Sequence, residues 1–417
     1  MSIVDGLSGY LTSQEAAEAL GVKRSTLYTY VSRGQIRIIP APNGKRRLYL
    51  ASDIERMRQK ADAHKGDAAG AASALRWGEP VVDSTITLID ADGPNYRGLP
   101  SLTLAERGDP LESVAELLWT GELPSEPPAW PSCDAGVPPK EVARLLHSEV
   151  GPLTALAVLI PLLAAADPLR FGAPHEAELN RGRRLIRRMA AGVALSAPVA
   201  DRAARMERAL DASTVAETFA TAIGCPVRHA RDIDLALTVC ADHELNASTF
   251  TARVAASAGA DLYACVGAAL ATLSGPLHGG LSDRVAALVQ EVRTPDRAPH
   301  VIGARMRRGE EIPGVGHRLS PDGDPRAETL LARAYEVGNG MVKVENVRAV
   351  VSAMVEAGHP PPNLDVGLVA LSAALELPPG FAPALFAIGR CTGWIAHILE
   401  QRKAGYLLRP RARYIGD

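Results

Sequence analysis

From about residue 90 to the C-terminus, apolar stretches rich in alanine, leucine and valine alternate with breaks at proline and glycine. Apolar residues make up 47% of the 417 residues, whereas aromatic residues make up only 4%. Alanine and leucine favour helices, while strands prefer β-branched and aromatic residues. The sequence therefore predicts a mainly α-helical protein of two or three domains, which is long enough to bury a sizeable core.

The cysteines and the apolar runs exclude several classes of protein. The five cysteines are odd in number and form no CxxC pair, which argues against a disulfide framework and a zinc site. They are Cys133, Cys225, Cys240, Cys265 and Cys391. The most apolar stretch, residues 151–166, is too short to span a bilayer and contains Pro161, so we expect a buried helix. With no secretory signal apparent, we expect a cytoplasmic location.

Residues 10–33 have the pattern of two short helices joined by a turn. Thr12 or Ser13 can cap the first helix, and Gly21 opens the turn that follows it. Ser25 is placed to cap the second helix. Two short helices joined by a tight turn form a compact motif that is common in DNA-binding proteins.

Two extended arms and a third helix follow the paired helices. The arms lie within residues 37–50 around an Asn-Gly dipeptide, which favours a tight hairpin turn. Ser52 and Glu55 form a capping-box pattern that starts the third helix. Residues 61–74 are then rich in Ala, Gly, Asp and Lys and predict a flexible linker.

Charge is distributed unevenly along the chain. Residues 1–66 carry 11 Lys and Arg against 6 Asp and Glu, whereas the remainder carries 34 against 41, for a net charge of −2. A basic start on a mildly acidic body indicates an anionic partner for the start alone.

The helix–turn–helix–wing order of residues 10–60 resembles the winged helix-turn-helix of the MerR and excisionase-like regulators. The resemblance implies a module of residues 1–60 that binds duplex DNA, with the second helix in the major groove and the basic wing against phosphates. The alternative is a small helical domain that makes protein contacts only. The candidate DNA contacts are Arg33, Lys45, Arg46 and Arg47.

Four segments in the second half of the chain concentrate His, Asp and Arg beside Gly and Pro: residues 241–249, 273–280, 313–327 and 361–367. Two further arginines, Arg390 and Arg409, follow them. No spacing suits a metal, and no serine lies in a nucleophile elbow. Imidazoles, one carboxylate and several guanidinium groups suit proton transfer beside a carbonyl, on a substrate that carries carboxylates.

From about residue 75 to the C-terminus, these segments resemble, in their order, the citrate synthases, including the 2-methylcitrate synthases. The resemblance implies an almost wholly helical fold with a large domain and a small domain that closes over the substrates. The large domain would comprise residues 75–279 and 376–417, and the small domain residues 280–375. It also implies a homodimer that uses oxaloacetate with acetyl-CoA or another short acyl-CoA, and no other cofactor.

The resemblance assigns a catalytic role to three residues. His278, in SGPLHGG, would hydrogen-bond the thioester oxygen and stabilise the enol, and the positive end of the following helix would favour its neutral form. His317, in PGVGH, would polarise the oxaloacetate carbonyl and protonate the product alkoxide. Asp365, in PNLD, would remove the methyl proton. On the residues alone, an aspartate after Pro-Pro-Asn also suits a helix cap.

The resemblance further implies that Arg326, Arg390 and Arg409 hold the two carboxylates of oxaloacetate. Arg409 would reach across from the partner subunit, so that a complete site needs the dimer. His243, in ADHE, would contact oxaloacetate as well.

Three positions depart from the usual pattern. Cys240 occupies a common histidine position, and Pro321 the position of a Lys or Arg that faces CoA phosphates. Val366 follows the aspartate where an aromatic residue or histidine is common. Three functions stay open: a citrate synthase, a 2-methylcitrate synthase that uses propionyl-CoA, and a ligand-sensing transcriptional regulator on a citrate synthase body. One methyl group changes binding by only about 1–3 kcal/mol, so the sequence does not separate the first two.

Overall fold

The structure is a computed structural model, which describes residues 10–32, 36–40, 47–51, 53–54, 57, 82–147, 149–411 and 414. The chain divides into two compact units, Met1–Asp83 with Pro410–Asp417, and Ser84–Arg409. The predicted linker of residues 61–74 lies outside the described residues, and so do the candidate DNA contacts Arg33, Lys45 and Arg46.

The described residues of the first unit include two bounded helices and a three-stranded antiparallel sheet, with strand order β1-β3-β2. Residues 51, 53, 54 and 57 are helical as well. A small apolar core, which includes Leu27 and Tyr49, joins the helices to the sheet. The bounded elements are α1 (Ser13–Leu20), α2 (Arg24–Ser32), β1 (Tyr10–Thr12), β2 (Ile38–Pro40) and β3 (Arg47–Leu50).

Several predicted details of this unit agree with its described residues, whereas the hairpin turn at Asn43 and Gly44 and the capping box of Ser52 and Glu55 lie outside them. Thr12 caps α1 in a capping box with Glu15, and Gly21 ends α1 in the left-handed conformation that glycine adopts readily. Strands β2 and β3 pair as the two arms of the predicted hairpin. The predicted cap of the second helix is wrong, because α2 already begins at Arg24 and Ser25 lies within its first turn.

The second unit opens with a small antiparallel sheet of three strands, β4 (Thr87–Asp90), β5 (Gly93–Tyr96) and β6 (Leu99–Pro100). Its described residues continue as a series of α-helices with three short 3-10 turns, which confirms the predicted mainly α fold. The helices are α3 (Ser101–Arg107), α4 (Leu111–Thr120), α5 (Pro139–Leu145), α6 (Pro152–Ala166), α7 (His175–Gly192), α8 (Arg202–Ala209), α9 (Val215–Ile223), α10 (Ala230–Cys240), α11 (Ala247–Ser257), α12 (Leu262–Leu273), α13 (Leu281–Val292), α14 (Ala298–Arg307), α15 (Pro325–Val337), α16 (Val342–Glu356), α17 (Leu364–Ala374) and α18 (Phe381–Ala404). The 3-10 turns are Val193–Leu195, Val227–His229 and Pro295–Arg297.

Helix α18 forms the centre of this unit. It is long and apolar enough to cross a membrane, but 94% of its most apolar window is buried within the protein, as in the core helix of a helical bundle. It crosses α10 closely, and Gly389 permits this approach because it has no side chain. A Cβ at this position would lie 2.5 Å from the Leu237 carbonyl oxygen. This close approach brings Arg390 against the C-terminus of α10.

The predicted buried helix is α6, whose inner face is buried and whose interior contains Pro161. A second apolar cluster joins α13, α14 and α16, with Leu288, Ile302 and Val350 at its centre. This cluster lies within the predicted small domain. The domain boundaries at residues 279 and 375 stay a prediction.

Candidate active site

Two of the predicted site histidines lie in direct contact. The rings of His243, which follows α10, and His317, in the turn before α15, have centroids 5.0 Å apart and meet edge to face. The pKa of His243 is lowered well below its usual value, first by burial and then by Arg326 and Arg390. The pKa of His317 is lowered by burial and by Arg326. Both imidazoles are therefore neutral at pH 7.

His278 lies in the turn that leads into α13. Its Nε2 is 2.9 Å from the hydroxyl of Ser248, and its ring meets Phe386 of α18 edge to face with centroids 5.8 Å apart. Burial, followed by the charge of Arg390, lowers the pKa of His278 to about 4. The imidazole is neutral, as predicted, but burial rather than the start of the following helix is the main cause.

Asp365 lies at the second position of α17, and it does not cap that helix. The cap is Asn363, whose side chain accepts a hydrogen bond from the Asp365 backbone N–H at 3.1 Å. The Asp365 carboxyl is instead buried, and its Oδ1 accepts a 2.5 Å hydrogen bond from the Ser282 hydroxyl. Burial raises the pKa of Asp365 to about 6, against the lowering effects of Ser282 and Arg326. A carboxyl in this range exchanges protons near neutral pH.

The loop that carries His317 is tied to the start of α17. Gly316 N–H donates to the Pro361 carbonyl at 2.8 Å, and Asn363 N–H donates to the Gly314 carbonyl at 2.9 Å. Gly314 and Gly316 have φ values of 87° and 73°, which glycine adopts without strain. The backbone thereby holds His317 and the helix of Asp365 in one arrangement.

Arg326 forms a buried bidentate pair with Asp324, with N–O distances of 2.9 and 2.8 Å. Asp324 also accepts a hydrogen bond from Leu364 N–H at 3.2 Å, which links the guanidinium to the first turn of α17. The pKa of Asp324 is lowered, because the charge and hydrogen bonds of Arg326 outweigh the effect of burial. This arginine is therefore held in place before any substrate arrives.

Arg390 is buried in a different way. Its Nε donates to the Cys240 carbonyl at 2.7 Å, and its guanidinium lies over the ring of Phe386, 4.8 Å from the centroid. Among the described residues, none accepts a hydrogen bond from its terminal Nη groups. Burial lowers the pKa of Arg390 despite the nearby Asp242. Such a guanidinium is suited to a carboxylate ligand.

The remaining predicted residues lie outside this cluster or differ from the pattern. Arg409 is exposed on the segment after α18, and it forms no hydrogen bond or ion pair with a described residue, so its role stays a prediction. Arg47 is exposed on β3 of the first unit. Cys240 is fully buried beside Arg390, Arg326 and Asp365, and burial raises its thiol pKa to about 12.

Sequence analysis did not identify three polar residues that hold the predicted ones. Ser248 bonds His278, Ser282 bonds Asp365, and Asp324 bonds Arg326. Asp324 carried a detectable signal, because an aspartate directly before Pro-Arg is a typical helix cap, and it does cap α15. The two serines had no such signal.

Comparison with known proteins identifies the family of the chain. Residues 74–411 match the family described as "Citrate synthase, C-terminal domain", and residues 10–62 match a helix-turn-helix domain family. A citrate synthase of Haloferax volcanii is 32% identical over 358 residues, which cover 81% of this chain and 94% of that protein. A 2-methylcitrate synthase of Corynebacterium glutamicum is 30% identical over 354 residues, which cover 77% of this chain and 88% of that protein.

A solved structure is similar as well. It is the ternary complex of carboxymethyl coenzyme A and oxaloacetate with the citrate synthase of Thermoplasma acidophilum, with a TM-score of 0.71 and 25% identity over 81% of this chain and 94% of that one. The fold and the family match define an enzyme of the citrate synthase type. The chain belongs to the citrate synthase family and carries an additional N-terminal helix-turn-helix domain.

Proposed function

We propose that this protein condenses acetyl-CoA with oxaloacetate to give citrate and CoA. Asp365 takes a proton from the acetyl methyl group, and the electron pair of the broken C–H bond moves toward the thioester oxygen, which becomes an enolate oxygen that accepts a hydrogen bond from His278. The enolate carbon attacks the carbonyl carbon of oxaloacetate, and His317 donates the proton that the new alkoxide takes up. Water then cleaves the thioester and releases CoA.

The observation that carries this proposal is the state of Asp365. It is a buried carboxyl with a pKa of about 6, it does not cap its helix, and only one of its oxygens is hydrogen-bonded by a described residue. A general base is most effective when its pKa lies near the working pH. A thioester α-proton is weakly acidic, and its removal requires simultaneous stabilisation of the developing enol.

The environment of His278 suits that stabilising role. Its Nε2 contacts the Ser248 hydroxyl, which leaves Nδ1 to face a substrate. The same hydroxyl accepts a hydrogen bond from the Trp394 indole N–H at 3.1 Å, so its position is fixed. Ser248 Oγ also lies 2.8 Å from Asn246 Oδ1, so its single proton serves either Asn246 or His278. The proposed role requires that Ser248 donates to Nε2, which places the imidazole proton on Nδ1 as the donor to the enolate oxygen.

The two buried arginines and the paired histidines suit oxaloacetate. Arg390 offers two terminal Nη groups without a described partner, while Arg326 is fixed by Asp324. A dicarboxylate would offset the cost of keeping these guanidinium groups buried. His243 and His317 would donate to the substrate as neutral imidazoles. The related Thermoplasma enzyme binds oxaloacetate and a CoA analogue, which supports this assignment.

The test is a free-thiol assay with the purified full-length protein. We expect CoA release that requires both acetyl-CoA and oxaloacetate and equimolar formation of citrate. Thiol release without oxaloacetate would indicate a thioesterase instead. No release with either substrate pair, together with tight oxaloacetate binding, would favour a sensor.

A second candidate is 2-methylcitrate synthesis from propionyl-CoA. The similarity to the Corynebacterium 2-methylcitrate synthase favours it. The chemistry and the proposed residues are unchanged, since only one methyl group is added to the enol carbon. The ratio of kcat/KM values for propionyl-CoA and acetyl-CoA in the same assay decides between the two substrates.

We propose that the N-terminal domain binds DNA. Its helix α2 exposes Tyr28, and Arg47 is exposed on β3. Together with the positive charge of residues 1–66, this surface suits the phosphates of duplex DNA.

We also propose that the protein is a homodimer, in which Arg409 of one subunit completes the active site of the other. The cytoplasmic location stays a prediction.

A further inference from the structure

The hydroxyl of Ser282 is the closest hydrogen-bond donor to the Asp365 carboxyl. Ser282 lies in the first turn of α13, four residues after His278, and its side chain is fully buried. Its Oγ donates to Asp365 Oδ1 at 2.5 Å. Helix α13 packs against α17, so this hydrogen bond joins the turn that carries His278 to the helix that carries Asp365.

One hydrogen bond from another described residue holds the carboxyl of Asp365. Among the described residues, Ser282 is the one that donates to Oδ1, and none donates to Oδ2. The backbone N–H of Asp365 is engaged by Asn363, which fixes the Cα of the aspartate at the start of α17. A carboxyl anchored at its backbone and at one oxygen presents the other oxygen in a defined direction.

We propose that Ser282 is a positioning residue for the reaction: it holds Oδ1 of Asp365, so that Oδ2 receives the substrate proton, and it stabilises the carboxylate over the acid. This inference rests on the proposed function, because it assumes that Asp365 is the base. In the step itself the C–H bond of the methyl group breaks and an O–H bond forms at Oδ2. The hydroxyl proton of Ser282 stays on the serine throughout.

The charged and titratable groups around Asp365 determine the effect of the serine. Arg326 and Asp324 face Asp365 from the start of α15, and Cys240 lies at the end of α10. Arg326 favours the carboxylate and Asp324 opposes it, while burial raises the pKa. A hydrogen bond to the carboxylate lowers the pKa, so removal of the hydroxyl should raise the pKa above its value of about 6.

The experiment compares pH profiles of kcat/KM for acetyl-CoA in the full-length protein. In Ser282→Ala we expect the acid limb to move up by about one pH unit, which lowers the rate about tenfold on that limb and much less at pH 9. Ser282→Cys changes the side chain by one atom but donates weakly, so we expect the same direction of shift. Its Tm at pH 4, where Asp365 is protonated in both proteins, should equal that of the wild type. The KM for oxaloacetate should change less than twofold in both variants.

Ser213→Ala is the matched control, because Ser213 is exposed and its side chain bonds none of the proposed site residues, and its profile should equal that of the wild type. A purely structural role of Ser282 would lower the rate equally at all pH values. If both folded Ser282 variants keep the wild-type acid limb, the inference is wrong. Should Ser282→Ala fail to fold, Ser282→Cys alone decides.

Asp365→Asn separates this inference from the proposed function. If Asp365→Asn keeps its turnover, Asp365 is not the base and the proposed function fails. If Asp365→Asn is inactive while both Ser282 variants keep the wild-type limb, the proposed function stands and the role of Ser282 is refuted.

Discussion

The imidazole rings of His243 and His317 meet edge to face at 5.0 Å between centroids, although the two residues come from turns that are distant in the sequence. Burial and the neighbouring arginines keep both rings neutral. A pair of neutral donors beside buried guanidinium groups is an environment for an oxyanion or a polarised carbonyl. In the proposed reaction, this pair binds the keto acid, while Asp365 and His278 act on the acyl-CoA.

The raised pKa of Asp365 has a consequence for stability. An aspartate with a folded pKa of about 6 and an unfolded pKa near 4 contributes stability that is present below pH 4 and lost as the pH rises to 6 and above. Ionisation of Asp365 therefore lowers the free energy of unfolding by ~3 kcal/mol at pH 8. We expect Asp365→Asn to raise Tm by several degrees at pH 8 and to have little effect at pH 4.

Thermal melts of the wild type and Asp365→Asn at the two pH values provide the measurement. Asp296→Asn is the control, because this aspartate is exposed and should leave Tm unchanged at both. A lower Tm for Asp365→Asn at pH 8 would mean that the carboxylate is stabilised in the folded protein.

Loss of the guanidinium at Arg390 should weaken oxaloacetate binding without weakening the fold. Arg390 is buried with no ion-pair partner among the described residues, so Arg390→Gln removes an uncompensated charge. We expect the Kd for oxaloacetate, measured by calorimetry, to rise by about 30-fold or more and Tm to stay equal or to rise. Arg305→Gln, which removes an exposed ion pair with Glu291, should leave the Kd unchanged. An unchanged Kd in Arg390→Gln would place the carboxylates elsewhere.

Arg409 should act in the partner's active site. A mixture of Arg409→Ala and His278→Ala proteins, after subunit exchange, should recover roughly a quarter of the wild-type activity, since half of the random dimers are mixed and each has one complete site. Each variant alone, treated in the same way, should stay inactive. No recovery after proven exchange would show that Arg409 serves its own subunit or none.

The N-terminal domain should bind duplex DNA and be dispensable for the chemistry. We expect the full-length protein to bind DNA with an affinity that falls steeply with salt, because phosphate contacts release counterions. Arg47→Ala should weaken binding and lower the salt slope by about one. A variant that lacks residues 1–73 should keep its turnover and lose DNA binding.

Two results would contradict this role of the N-terminal domain. The first is the absence of affinity of the full-length protein for a range of DNA sequences even at low salt. The second is loss of the dimer and its activity on removal of residues 1–73, which would make the domain a structural part of the enzyme.

The sequence predicts the helical fold, and distinctive local motifs point to candidate site residues such as His317, which follows two glycines in PGVGH. It was not sufficient for residues defined only by a distant partner. Ser248 and Ser282 are ordinary serines in the sequence, and their function depends on His278 and Asp365, which approach them only through helix packing. Short motifs report local backbone requirements, whereas these hydrogen bonds depend on tertiary structure.

The sequence also suggested physical causes that the structure corrects. The neutral state of His278 was attributed to the start of a helix, but burial is the larger effect. A cap at Asp365 was a reasonable alternative from the local sequence, but Asn363 occupies that position. Burial is the largest effect on the protonation of both His278 and Asp365. Burial depends on the tertiary structure, which the local sequence does not reveal.

The most direct test of the central claim measures two quantities in Asp365→Ala: the rate of CoA release and the affinity for oxaloacetate. Asp365 is proposed to act on the methyl group of the acyl-CoA, remote from the oxaloacetate carboxylates, so the two quantities should separate. With acetyl-CoA and oxaloacetate in a free-thiol assay, we expect kcat to fall by about 10²–10⁴-fold. Calorimetry should show an oxaloacetate Kd close to that of the wild type, and Asp296→Ala should match the wild type in both. Turnover near the wild-type rate in Asp365→Ala would contradict the account, because the reaction would then use another base.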